Sequence, residues 1–198
     1  MFLKHFPAIS FLLLLSSAGI TQRNFEADTS WKRLNKMQDD TTKVMALFDK
    51  ALTSSVYDIE LSGFYAKKTY ALAKRLNFRK GIIYSCDVLG NFYLQNGNYA
   101  DSYEWMNHAI RLKEEKGDPF ELAIGYNQLA VLFRQMQNFK MAKSFSRKSM
   151  LQCKKMSNDK FIGLSISTHS NIYYESGDLD SAIYFNSMAL KMHRSASD

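Results

Sequence analysis

Two stretches of this chain share one order. "NFYLQNGNYADS" (Asn91–Ser102) and "NIYYESGDLDSA" (Asn171–Ala182) both run from Asn through large apolar residues and a polar pair to Gly, then Asn or Asp, then a small residue. Self-similarity at a fixed interval is the mark of a repeat architecture. Shifting the chain by 40 brings Tyr93, Phe133 and Tyr173 together, and likewise Tyr99, Phe139 and Leu179. Ser62, Ser102, Ala142 and Ala182 form a column of small residues, as do Thr69, Ala109, Ser149 and Ala189. Asn98, Asn138 and Asp178 share another, each preceded by Gly97, Gln137 or Gly177. Large, small and turn-forming positions each keep their own column.

Within a unit the spacing is helical. Cys86, Leu89 and Tyr93 lie three and four apart, as do Tyr99, Ser102, Met106, Ala109 and Leu112, so each segment carries one apolar face. Gly97 can take positive φ to end the first helix, A, and Asn98 can cap the second, B. "ESGD" around Gly177 repeats the device, whereas "QMQN" lacks the glycine and is expected to end its helix less cleanly. One helix pair cannot bury its apolar face, but stacked pairs can. Pairs are placed at about 41–78, 81–117, 121–157 and 160–194, the first with a longer, irregular turn. Residues 22–40 read as a polar lead-in with one short helix around Trp31 to Met37.

The phrase around Leu89-Gly90, Tyr93, Gly97-Asn98, Ser102 and Ala109 resembles a tetratricopeptide repeat. Leu129-Ala130, Phe133, Ala142 and Ser149 match the same pattern, as do Ser170, Tyr173, Gly177, Ala182 and Ala189. The resemblance implies an all-α fold, a right-handed superhelical solenoid of about four such pairs, of the bacterial extracytoplasmic or signalling type. The chain departs from the family in its 40-residue period, longer than the usual ~34. His169 also stands where the family has Leu, and no unit carries the late Pro. The resemblance further implies a concave groove lined by helix A side chains. Carried onto this sequence, the peptide-binding residues are Tyr84, Asp87, Asn91, Leu94 and Gln95, then Asn127, Val131, Arg134 and Gln135, then Asn171, Tyr174 and Glu175. Asn amides can grip a peptide backbone, Arg134 can hold a carboxylate, and the tyrosines offer flat area with a polar tip. The lysines of a carboxylate clamp are missing from the matching positions.

The N-terminus reads as an address. Lys4 and His5, an apolar run to Leu15 and then Ser16-Ser17-Ala18 form the layout of a secretory signal peptide over 1–21, cleaved near 18–21. The run is shorter than the ~20 residues of a spanning helix. A secreted or periplasmic location follows, and nucleic acid drops out as a partner for the +7 charge. Two basic stretches remain: Lys67, Lys68, Lys74, Arg75, Arg79 and Lys80, and Lys140, Lys143, Arg147, Lys148, Lys154 and Lys155. Both are assigned to helix B, as solvated faces or as a ridge for an acidic partner or lipid head groups. Cys86 and Cys153 fall on different helices and read as buried small side chains rather than a bridge.

No nucleophile–base set or metal-ligand spacing appears, so no enzyme, cofactor or metal is expected. His108 reads as a surface or edge residue and His169 as packed core. The last helix carries Ile183, Met188, Leu190 and Met192 with nothing after it in the sequence to cover them. Self-association, a capping partner or truncation of a longer chain would each account for that. The expected function is a non-catalytic protein- or peptide-binding scaffold outside the cytoplasm. The alternative is the sensor region of a signal-transduction protein, a histidine kinase or transcriptional regulator, without its membrane and output modules.

Overall fold

A computed structural model describes residues 25–156 and 159–195 of the chain, so the expected signal peptide lies outside the described residues. A short 3-10 turn, Phe25–Ala27, precedes α1 (Thr29–Asn35). Four helix pairs follow: α2 (Thr41–Ser54) with α3 (Ile59–Arg75), α4 (Arg79–Gln95) with α5 (Tyr99–Lys116), α6 (Pro119–Gln135) with α7 (Phe139–Met156), and α8 (Asp159–Glu175) with α9 (Leu179–Ser195). The fold is the expected all-α solenoid. The period follows from helix length, because from α4 onward A helices of 17 residues and B helices of 17 or 18 are joined by very short turns.

Consecutive helices pack throughout. Backbones of the A helices also meet across units, α2 on α4, α4 on α6 and α6 on α8. The B helices are spaced by bulk instead: Tyr70 of α3 meets Trp105 of α5 edge-on at 4.8 Å. A stack that is tighter along one row of helices bends toward that row, so the A helices form the inner face.

Inside each pair the helices cross through small residues. Ser102 Oγ donates to the Gly90 carbonyl at 2.8 Å, and Ser62 Oγ to the Ala51 carbonyl at 2.8 Å. At the fourth crossing the donor changes helix, with Ser170 Oγ donating to the Ala182 carbonyl at 2.8 Å. Ala130 and Ala142 occupy the third, both fully buried. A Cβ on Gly90 would come within 2.6 Å of Met106 Cγ, so the crossing has no room for a larger residue.

Three expectations are corrected. The lead-in is not merely polar. Trp31 and Leu34 of α1 pack onto the core of the first pair, and the Tyr65 hydroxyl donates to Asp28 at 2.6 Å. The first turn is nearly regular, since α2 ends at Ser54 and the Asp58 carboxylate caps α3 through the Leu61 N–H. Finally, α6 ends as cleanly as its neighbours. Gln137 N–H donates to the Arg134 carbonyl and Asn138 N–H to Phe133, matching Gly97 to Leu94 and Asn98 to Tyr93. This pattern needs a left-handed residue just past the helix. Gln137 supplies it at φ +57°, because the stacked pair over-determines the turn.

That conformation carries strain for any residue with a Cβ. Gln137→Gly is expected to raise unfolding stability by about 0.5–1 kcal/mol, after its added unfolded-chain entropy is subtracted. Chemical denaturation of the two proteins measures it.

Candidate functional site: the inner groove

The inner row of A helices leaves a groove. Across α2, α4 and α6 it widens to a cavity of about 340 Å³ floored by Phe48, Leu52, Val88, Phe120 and Ile124 and edged by Asn91 and Gln128. A second cavity of about 190 Å³ lies between α6, α7 and α8. Phe120, Ile124 and Gln128 of α6 line both.

Of the expected site residues, Tyr84, Asp87 and Asn91 line the first cavity and Asn127 lines the second. Tyr84 is fixed by its ring against Phe48 at 4.9 Å and by its hydroxyl, 3.4 Å from Glu121; burial raises its pKa above that of the usual phenol. Gln95 and Gln135 are exposed at the ends of α4 and α6. Asn171 and Tyr174 are exposed on α8, outside both cavities.

Two residues depart from their expected roles. The Asp87 carboxylate receives the Lys113 ammonium on both oxygens, at 2.8 and 2.7 Å, and the Lys113 side chain is fully buried. Burial pushes the Asp87 carboxyl upward against the pull of that ammonium. Its charge is thus spent inside the pair. Arg134 already holds a carboxylate, that of Glu175, tying α6 to α8.

The basic stretches are also partly committed. Arg79 and Lys80 open α4, an A helix, and were misassigned to helix B because α3 ends at Arg75. Arg79 bonds Glu115, and Arg75 bonds Asp39. Lys67 lies over Phe92 at 5.1 Å, Lys143 over Tyr173 at 4.1 Å and Lys148 over Phe145 at 5.2 Å. Such contacts are structural uses of charge.

Neither cysteine is bonded, and burial pushes the Cys86 thiol up to about 12. His108 is half-buried rather than surface-exposed, with Nδ1 at 3.7 Å from Cys86 Sγ. His169 is core: Ser146 Oγ is 2.8 Å from its Nδ1, and the Tyr173 and Phe185 rings meet it edge-on. Burial holds its pKa at about 4. The last helix does expose apolar area at Ile183, Tyr184 and Leu190. Among the described residues no group of acids, cysteines and histidines is placed to hold a metal, and no helix is long and apolar enough to cross a membrane.

The apolar floor was missed in the sequence, although a signal existed. Tyr84, Ile124 and Leu164 share one 40-residue column, and large side chains recurring on the solvent face of an A helix have no core to fill.

Residues 83–116 match the tetratricopeptide repeat family. No curated protein matches the chain. Its fold is similar to the crystal structure of BtubC (BKLC) from P. vanneervenii, with TM-score 0.73, 11% identity, and 85% of this chain and 72% of that one covered.

Removing one partner of a buried ion pair strands the other charge. Lys113→Met is expected to cost about 3–5 kcal/mol, whereas Lys113→Met with Asp87→Leu recovers most of it; urea unfolding of both distinguishes the cases. His169 is neutral in the fold but takes a proton near 6.5 when unfolded. Its contribution is therefore present above about pH 6.5 and lost as pH falls toward about 4. His169→Leu is expected to flatten stability across that window, as followed by thermal melts at stepped pH.

Proposed function

Because the chain is a tetratricopeptide-like repeat protein, we propose that it is a protein-interaction scaffold whose inner groove holds an extended peptide segment of a partner, outside the cytoplasm. The observation that carries the reading is the groove's make-up. Its floor exposes large apolar side chains, with Phe120 at 38% and Leu52 at 50% exposure, and its edges carry the Asn91 and Gln128 amides beside the Glu121 carboxylate. Apolar area facing solvent costs free energy that a ligand recovers. Side-chain amides satisfy a peptide backbone without reading its sequence. Two charged residues expected in the groove, Asp87 and Arg134, are paired within the protein. The leader-like N-terminus supports export, and export limits partners to exported proteins.

Asn91 and Asn171 occupy one column two units apart, Asn91 lining the first cavity and Asn171 exposed on α8. Asn91→Ala with Asn171→Ala is expected to reduce capture of groove-selected peptides from a displayed random library by about tenfold or more. The melting temperature should be nearly unchanged, since neither side chain is core. Undiminished capture would remove the groove assignment.

A further inference from the structure

We propose that α9 is the docking surface for a second copy of this chain, the two α9 helices meeting antiparallel along Leu179, Ile183, Asn186 and Leu190 in a two-fold dimer. The inference stands apart from the groove reading, because it uses the outer row of helices at the end of the stack.

In the preceding units the same seam is covered. Tyr99, Tyr103, Met106 and Ile110 of α5 lie 80 positions before those four residues, and Phe139, Lys143, Ser146 and Met150 of α7 lie 40 before them. Tyr99, Met106 and Ile110 pack with Leu122, Tyr126, Leu129 and Leu132 of α6, and the Tyr103 ring meets Phe133 edge-on at 5.8 Å. The approach is close, since a Cβ on Gly125 of α6 would come within 2.5 Å of Ile110 Cδ1. On α7, Lys143 lies over the Tyr173 ring of α8 at 4.1 Å, and Ser146 Oγ is 2.8 Å from His169 Nδ1. Each of these B helices thus receives the next A helix on one seam. On α9 the seam is open among the described residues. Ile110 is 4% exposed, whereas Leu190 in the same column is 50% exposed and Ile183 is 69% exposed. Apolar area left in water carries a free-energy cost that a covering helix removes.

The seam selects a helix like itself. Its steps of four, three and four residues are the spacing by which two helices interlock side by side. In an antiparallel pair Leu179 lies opposite Leu190 of the second copy, and Ile183 opposite its Asn186. Both pairings are centred on one point of the helix, between Tyr184 and Phe185, as a single two-fold axis requires. Charge fits that direction alone. Asp180 is exposed in the first turn of α9, beside Asp178, which caps the helix through the Ser181 N–H at 3.1 Å. Lys191 and Arg194 are exposed near the other end. Antiparallel helices set each acidic end beside the basic end of the other copy and oppose their dipoles favourably, whereas parallel helices would bring like charges together. The seam itself carries no charge. Its one polar member, Asn186, is exposed and lies at an inner position, where an amide costs affinity and fixes register.

The test is sedimentation velocity on the full chain from about 1 µM to about 1 mM, the span in which a contact of one helix per copy is expected to titrate. Reversible conversion of monomer to dimer is expected. Ile183→Lys is expected to weaken dimerisation about tenfold or more, with circular dichroism unchanged because the side chain is exposed in the monomer. Asn186→Leu is expected to tighten it about fivefold or more. Direction is read by mixing Leu179→Cys chains with Leu190→Cys chains under mild oxidation, Cys86 and Cys153 being buried. The two variants are expected to bond to each other, and neither to itself. A monomer at every concentration would overturn the proposal and leave the seam to a different partner. Association untouched by Ile183→Lys, or weakened by Asn186→Leu, would overturn it as well, and so would Leu179→Cys chains bonding to one another.

Discussion

The whole assembly hangs on how closely helix A can approach helix B. At each crossing two small residues face each other, and where one is serine its hydroxyl is turned onto the opposing backbone carbonyl, as from Ser102 to Gly90 and from Ser170 to Ala182. A hydroxyl buried there without that bond would cost more than the bond returns in water. The hydrogen bond is therefore the condition on which a serine is tolerated. With the crossing fixed, the turns of the last three pairs close alike. The closure imposes a left-handed residue at Gly97, Gln137 and Gly177 alike, whatever side chain stands there.

A lattice this regular makes departures informative. One inner position between paired helices reads Asp87 with Lys113, then Asn127 with Cys153, then Ser167 with His193. The first is a buried ion pair, the second an amide and a buried thiol lining one cavity, the third a close polar contact. Packing requires only that the site be filled or tolerably empty. A scaffold can therefore vary it from unit to unit without disturbing crossings or turns. Charge follows a similar economy. Much of the basic excess leans on aromatic faces or pairs with acids between helices.

The sequence by itself determined the helix pairs, their 40-residue period, the small-residue columns and the burial of His169, because these are set by spacing along one chain and repeat often enough to be read. It also brought Tyr84, Asp87, Asn91 and Asn127 to the inner face. What only the tertiary structure decided was what those side chains do there. Asp87 is neutralised by Lys113 across the pair, and Arg134 by Glu175 across units, contacts whose partners lie 26 and 41 positions away. The docking of α1 through Trp31 and Asp28 onto the first pair was likewise invisible, because it depends on a surface that exists only after α2 and α3 have packed. Periodicity reports which face a residue occupies. Pairing, cavity and free acceptor depend on distances between helices, and those are fixed only when the stack closes.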